Sequence, residues 1–325
     1  MLSASACSAP ADNKVKISFV QTGQETIIKE YSIGDTLKDV FSPVQPQDDT
    51  LIVEWNVTDD YVVSKDDTIT TTTYTKGLEF SSYFKEFRSY QVESYTGSAK
   101  KVIVPEYYKG LRVTKLLGKR SGTYGVFDSN QMIEEVILPE GLLQINQYAF
   151  YQAKNLKKVN LPSTLVKVEN HVFADCKFYE QAFTIPNAEY GERAFFGCNT
   201  ETLIISDGVK QIPSFCFAGA TGKLKNVVIP LSLTNISGTA FWMQPIENFY
   251  YCGDEGDFYN VSITEESHSG DNFENYLYNG ADRYKIKGGQ SITEFTIPVI
   301  YYYSETQPQT DGNFWRYVNG VPTAW

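Results

Sequence analysis

The pattern of apolar positions repeats twice between residues 133 and 176. Each copy has a short β-prone run that ends in Leu-Pro, at Leu138-Pro139 and at Leu161-Pro162. An apolar residue follows six positions after each proline (Ile145, Val168), and a small or β-branched residue and Phe follow at ten and eleven. Proline has no N–H to donate and ends a hydrogen-bonded ladder, so each copy predicts one short strand and a return segment.

The same pattern continues on both sides of this pair. The phenylalanine recurs every 22 to 24 residues, at Phe127, Phe150, Phe173, Phe195, Phe217 and Phe241. A fixed period in the low twenties is typical of leucine-rich repeats, which build one coil per repeat. The spacing therefore predicts a mainly β solenoid over 102–253, with about six coils of 20–24 residues and a parallel sheet. Equivalent phenylalanines are then expected to stack about 4.8 Å apart as core.

Three coils depart from the regular pattern. Counted from the coil of Pro139, the third coil (Pro186 to Phe195) is two residues short, and the fourth has Ser206 where the others have proline. The first phenylalanine, Phe127, is preceded by an insertion at 117–124. Regular coils hold the fold together. The irregular segments 106–124 and 187–212, and the acidic stretch after Cys252, are where we expect a partner to be recognised.

The segments outside the repeats predict further β structure. Residues 1–13 are expected to be a disordered tether. Four β-prone runs with a short helical segment at 34–41 predict a small β-grasp-like domain over 14–76. Residues 77–101 predict a hairpin that caps the first coil, since a solenoid exposes unpaired backbone at its ends. Residues 254–325 predict an irregular acidic loop followed by an aromatic β cap.

Composition restricts the partners. The 325-residue chain has 39 acidic and 28 basic side chains and a net charge of −11, without a basic block. Nucleic acid and anionic lipid surfaces are poor partners for such a chain. No run approaches the roughly 18 apolar residues of a membrane helix.

The five cysteines show no metal-ligand spacing. Cys176 and Cys198 follow the phenylalanine by three, and Cys216 precedes Phe217 directly. Buried free thiols explain these positions, and a bridge between Cys176 and Cys198 is the alternative. Small residues that lead into Cys7 resemble the end of a bacterial lipoprotein signal, whose own segment is missing here. Two interpretations stay open for Cys7, lipid attachment and an incidental cysteine.

Several segments resemble known bacterial families. The segment VIVPEYYKGLRVT at 102–114, the repeated [LI]-P-x(9)-[AV]-F-x-x-[CA], and the segments 248–253, 301–308 and 314–325 resemble the BspA-type leucine-rich repeat proteins, over 78–325. Residues 31–37, Trp55 and the Asp67-Thr-Ile-Thr run are similar to the internalin-type (Listeria–Bacteroides) β-repeat. The BspA resemblance implies a secreted or surface-held protein with a role in adhesion and binding.

A search for catalytic chemistry finds no candidate. His171 and His268 have no nucleophile signature beside them, and Glu134-Glu135 and Glu265-Glu266 are adjacent pairs that point to opposite faces of a strand. The acidic residues around Asp254, Asp257, His268 and Asp271 lack the spacing of a calcium loop. We therefore expect no enzyme activity, no cofactor and no metal.

Two hypotheses for function come from different classes. The first is a monomeric module that binds an extracellular protein or glycan, with Tyr107, Tyr108 and Trp242 as candidate contact aromatics; packing at the caps is the alternative role for them. The second is a structural or assembly module of a cell-envelope complex. Contiguous surface aromatics would favour the first hypothesis, and uniformly polar faces would favour the second.

Overall fold

The computed structural model describes residues 13–37, 40–58, 60–83, 88–118, 125–177, 182–219, 223–263 and 298–325. Within these ranges the chain is mainly β, with one short helix. Two ladders of parallel strands run along most of it, and a separate small sheet precedes them. The predicted fold class, a leucine-rich-repeat solenoid with an N-terminal β domain, is confirmed.

The N-terminal domain is a four-stranded mixed sheet. Its strands are β1 (Lys14–Val20), β2 (Ile27–Ser32), β3 (Leu51–Trp55) and β4 (Asp67–Thr75). Their spatial order is β2-β1-β4-β3, with β1 and β4 parallel at the centre and both outer pairs antiparallel. The order agrees with the predicted β-grasp-like arrangement. The predicted helical turns at 34–41 do not form in the described part of that segment, where Thr36 instead bridges to Val62.

The N-terminal domain packs directly on the solenoid. Tyr74 of β4 belongs to the main apolar core and contacts the rings of Phe80 and Tyr108 edge to face, at 5.4 and 5.9 Å. Two hydrogen bonds cross the same junction, from the Ile103 N–H to the Thr75 hydroxyl (2.7 Å) and from the Gly110 N–H to the Asn56 side-chain carbonyl (2.7 Å). Because these groups are partly buried, the contacts fix the domain against the first coil.

The predicted hairpin covers the first coil. Strands β5 (Leu78–Tyr83) and β6 (Ser89–Tyr95) pair antiparallel. On its other side β6 pairs in parallel with the strand Leu111–Leu116, which is the first strand of one of the two ladders. The backbone groups of that first strand are thereby satisfied on the side that would otherwise face solvent.

Each regular coil has two short strands, where the repeat predicted one. The first ladder contains the strands at the Leu-Pro positions of the repeat and their equivalents before Ser206 and Cys252. These are β7 (Lys101–Ile103), β10 (Glu135–Ile137), β12 (Lys158–Val159), β14 (Ala182–Ile185), β16 (Thr202–Ile205), β18 (Asn226–Ile229) and β20 (Asn248–Tyr251). The second contains β9 (Leu111–Leu116), to which β8 (Tyr107–Tyr108) is antiparallel, then β11 (Gln144–Ile145), β13 (Lys167–Val168), β15 (Glu189–Tyr190), β17 (Gln211–Ile212), β19 (Asn235–Ile236) and β21 (Ser262–Ile263). The prediction of a strandless return segment was wrong, because Ile145 and Val168 pair in parallel with each other.

Both ladders are interrupted beside the third coil. Neither β12 and β14 nor β15 and β17 are joined by the ladder pairing that links the other neighbours. In the second ladder the cause is visible in the sequence. The N–H groups of Glu169, Gly191 and Ser237 each donate to the coil before, but the equivalent residue of the fourth coil is Pro213, which has no N–H.

The phenylalanine stack fills the centre of the solenoid. Phe127, Phe150, Phe173, Phe195, Phe217 and Phe241 are all buried, and successive ring centroids lie 4.8, 4.8, 5.3, 5.1 and 5.9 Å apart. Every pair is stacked with its planes within 28° of parallel. The predicted core role of this aromatic series is confirmed.

The solenoid extends beyond residue 253, where the repeat spacing placed its end. The helix α1 (Glu255–Phe258) leads to β21, and β22 (Val299–Tyr303) adds in parallel to β20. The strands β23 (Phe314–Val318) and β24 (Val321–Ala324) then form the predicted terminal hairpin around Asn319-Gly320. Trp315 is fully buried and donates its indole N–H to the Tyr251 carbonyl at 2.7 Å. The boundary at 253 followed from the phenylalanine spacing, which ends at Phe241, whereas β21 and β22 continue the two ladders.

Candidate binding surface

A turn two residues before four of the six stacked phenylalanines (Phe150, Phe173, Phe195 and Phe217) places one side chain per coil on the surface. The backbone there is left-handed, with φ of +62°, +57°, +55° and +55° at Tyr148, His171, Arg193 and Phe215. Residues other than glycine seldom adopt this conformation. Because the same turn recurs in each coil, the four side chains lie one above another.

These side chains form a continuous row. The rings of Tyr148 and His171 stack at 4.9 Å, and the Arg193 guanidinium lies 4.6 Å from the centre of the Phe215 ring. Trp242 of the next coil meets Phe215 edge to face at 6.0 Å. All five are half-buried, so each keeps part of its surface in solvent. We call these residues, together with Tyr151, which meets Tyr148 edge to face at 5.3 Å, the aromatic stripe.

The histidine of the stripe is neutral near pH 7. Burial, and next the nearby Arg193 charge, lower the pKa of His171 below its ordinary value of 6.5. Its Nδ1 is buried and finds no hydrogen-bond partner among the described residues. His171 therefore serves the stripe as a flat ring, and Arg193 supplies its positive charge.

A polar groove adjoins the stripe where the second ladder is interrupted. Its volume is about 310 Å³, and its lining includes Gln147, Glu169, Asn170, Glu189, Gly191 and Gln211. The groove spans the interrupted step between β15 and β17. Half of its lining residues come from the segment 187–212, where the sequence predicted a recognition site, and the other half come from the two coils before it.

Hydrogen bonds hold one wall of the groove in place. The Glu169 carboxylate accepts from the Gln144 side-chain amide at 2.9 Å and from the Gln147 N–H at 3.0 Å. The Asn170 side-chain carbonyl accepts from the Glu192 N–H at 3.0 Å. A Cβ on Gly191 would lie 2.3 Å from that same Asn170 oxygen, so only glycine fits there.

The structure separates the three predicted contact aromatics. Tyr108 stacks on Phe80 at 4.1 Å, and Tyr107 lies under Arg112 at 4.8 Å, both at the junction with the N-terminal domain. Trp242 lies five coils further along, in the aromatic stripe. The first two are part of the packing at the junction, and ligand contact by any of the three stays a prediction.

The buried cysteines are free thiols. Cys176, Cys198 and Cys216 are buried and unbridged, as predicted, and the alternative Cys176–Cys198 bridge is not formed. Burial raises the pKa of each of these thiols, which makes them poor nucleophiles. Burial also raises the pKa of the half-buried Cys252, to about 11. Cys7 lies outside the described residues.

The acidic segment after Cys252 serves the fold where it is described. Asp254 caps α1 by accepting from the Asp257 N–H at 3.0 Å. His268, Asp271 and the pair Glu265-Glu266 lie outside the described residues. In the part of the chain that the structure covers, no three His, Cys, Asp or Glu side chains cluster to hold a metal. Nor does any helix there have the length and apolar character to cross a bilayer.

Sequence reasoning missed most of the aromatic stripe. Tyr148, Tyr151, Arg193 and Phe215 differ in chemical type, so no residue pattern marks them. The available signal was positional, since four of the six stripe residues stand two places before a core phenylalanine.

Two parallel ladders, one stacked phenylalanine per coil and a cap at each end define this chain as a leucine-rich-repeat solenoid. The model of the BspA type leucine-rich repeat region matches residues 123–247 and 181–265, in six copies. The match covers less than half of the chain and lies in its repeat region, which is similar to that family. The internalin-type resemblance of the N-terminal domain stays a prediction.

Three solved structures match parts of this chain at low identity. The crystal structure of the T. pallidum leucine-rich repeat protein TpLRR is 18% identical, covers 66% of this chain and 95% of its own, and has a TM-score of 0.46. The pneumococcal vaccine antigen PcpA is 19% identical over 64% of this chain, with a TM-score of 0.44, and the match spans about half (49%) of its length. A leucine-rich repeat protein from Bacteroides ovatus is 16% identical, covers 58% of this chain and 57% of its own, and has a TM-score of 0.38. No curated protein matches the sequence significantly.

Proposed function

We propose that this chain is a secreted or surface-held bacterial repeat protein that binds an extracellular protein or glycan and acts in adhesion without enzymatic activity. The observation that carries the proposal is the aromatic stripe. Half-exposed aromatic side chains and arginine are the residue types that dominate binding energy at interfaces. A solenoid presents them on a rigid frame, so little conformational entropy is lost when a partner binds.

The stripe also discriminates between the two hypotheses drawn from the sequence. Contiguous surface aromatics favour a binding module, and the stripe contains two such pairs, Tyr148 with His171 and Phe215 with Trp242. Attachment to the cell surface through Cys7 belongs to this proposal as a prediction. The protein is produced in its own bacterium with a fatty-acid analogue, and Cys7→Ala is expected to abolish its labelling. Labelling that persists in Cys7→Ala would contradict the attachment.

A binding array tests the proposal. The full chain is applied to a panel of matrix proteins and glycans, beside Trp242→Ala and the control Tyr259→Ala. Tyr259 is 59% exposed and lies outside the stripe. We expect the wild type and the control to bind the same component, and Trp242→Ala to bind it about tenfold or more weakly, as for loss of an interface aromatic. A wild type that binds nothing on the panel would refute the proposal.

A further inference from the structure

We infer that the groove at the third coil binds a neutral, hydroxyl-rich glycan. The inference rests on the proposed binding function and names its ligand class. It places recognition of sugar hydroxyls in the groove and contact with the sugar faces on the adjoining rings of the stripe.

The groove exists because three local features coincide. In the third coil Tyr190 stands four positions after Pro186, where in the second Val168 stands six positions after Pro162. Gly191 presents no side chain at the step above Glu169. Pro213 donates no hydrogen bond at the step beyond. The parallel pairing resumes on both sides of the interruption, between β13 and β15 and between β17 and β19, so the opening is local.

The groups that line the groove suit hydroxyls. The side-chain amides of Gln147, Asn170 and Gln211 each carry both donors and an acceptor, and the carboxylates of Glu169 and Glu189 accept. A sugar hydroxyl donates one hydrogen bond and accepts others, so it can satisfy both kinds of group. An apolar ligand would leave these polar groups desolvated and unpaired, which disfavours its binding.

Charge narrows the class further. Two carboxylates, Glu169 and Glu189, face one ammonium group, Lys167, whose Nζ lies 4.0 Å from Glu169 Oε1. The whole chain carries a net charge of −11. Both the groove and the chain therefore repel anionic polysaccharides, and a neutral glycan avoids that cost.

The stripe supplies the apolar part of the site. Gln147 and Asn170 line the groove, and the next residue in each case is a ring of the stripe, Tyr148 or His171. Aromatic faces carry partial negative charge and attract the slightly positive C–H faces of a sugar ring. A glycan seated in the groove can extend along these rings.

Calorimetric titration of the full chain tests the inference. The probes are neutral hexamers (cellohexaose, laminarihexaose and mannohexaose), an anionic hexagalacturonate and a cationic chitosan hexamer. The groove variants are Gln211→Leu and Glu189→Ala. The matched control is Asn235→Leu, because Asn235 pairs with Gln211 in register on the next coil and lies outside the groove. Circular dichroism confirms that each variant is folded.

We expect a neutral hexamer to bind, each groove variant to weaken it about tenfold, and the control to change Kd by less than about twofold. Binding that neither groove variant weakens, or tighter binding of hexagalacturonate, overturns the inference. If no hexamer binds while the array shows binding that depends on Trp242, the groove inference fails and the proposed function stands. If neither experiment shows binding, both fail.

Discussion

At the scale of single residues, the Glu134 carboxylate forms ion pairs with lysines on both sides of its own coil. Its carboxylate oxygens lie 2.7 Å from Lys100 Nζ and 2.6 Å from Lys157 Nζ. Hydrogen bonds from Lys100 first, and then from Lys157, lower the pKa of Glu134 to about 2. The ordinary value is 4.5, which applies to the unfolded chain. The folded state therefore binds fewer protons at this residue than the unfolded state does.

This difference predicts an acid-dependent contribution to stability. Because the folded pKa is lowered, the contribution is present above about pH 4.5 and is lost as the pH falls toward 2. We expect Glu134→Gln to lower the melting temperature slightly at pH 7 and to have no such effect near pH 2, as measured by thermal unfolding across this range. The control is Glu30→Gln, which likewise removes one carboxylate, from an exposed position on β2. An equal effect of Glu134→Gln at both pH values would contradict the assignment.

Residue types in the core could be predicted from the sequence, and those on the surface could not. The stacked phenylalanines and the buried cysteines occupy fixed places in the repeat, since every coil must fill the same central space. Tyr148, His171 and Arg193 share a left-handed backbone conformation, but their side chains differ in chemical type. Their proximity is therefore visible only in the folded structure.

Phe173 tests the stacking that holds neighbouring coils together. It is fully buried between Phe150 and Phe195, at 4.8 and 5.3 Å. Truncation of such a ring costs about 3–5 kcal/mol of unfolding free energy, because the transfer energy is lost and a cavity remains. We expect this loss for Phe173→Ala in denaturant unfolding. The control Val166→Ala, in the same coil and 59% exposed, should change the free energy by less than about 0.5 kcal/mol. A loss below about 1 kcal/mol for Phe173→Ala would contradict the stacked core.

At the scale of elements, the proline-to-phenylalanine spacing predicted the coils. It did not predict the second strand of each coil. Strands such as β11 and β13 are two residues long, too short to show a period of their own. The short third coil indicated from the sequence that the surface would be irregular near the groove. The opening also depends on Pro213 and Gly191, whose effect appears only once neighbouring coils are aligned.

At the scale of the whole molecule, β structure outside the regular repeats packs at both ends of the first ladder or the first coil. The β5–β6 hairpin and the N-terminal domain cover the first coil, and the β23–β24 hairpin, anchored by buried Trp315, covers the last. The apolar core is continuous from Tyr74 to Ile300. Such a frame keeps the aromatic stripe and the groove in one fixed relation, which is the basis of the proposed binding role.

Hydroxyl-radical footprinting tests this central claim most directly. The full chain is oxidised alone and with whichever array component or hexamer it binds, and side-chain oxidation is read by mass spectrometry. We predict protection of Tyr148, His171, Phe215 and Trp242 together. Tyr259 and Tyr317, which are exposed elsewhere, should keep their oxidation rates. Protection confined to residues outside the stripe and groove, or the absence of any bound component, would contradict the account.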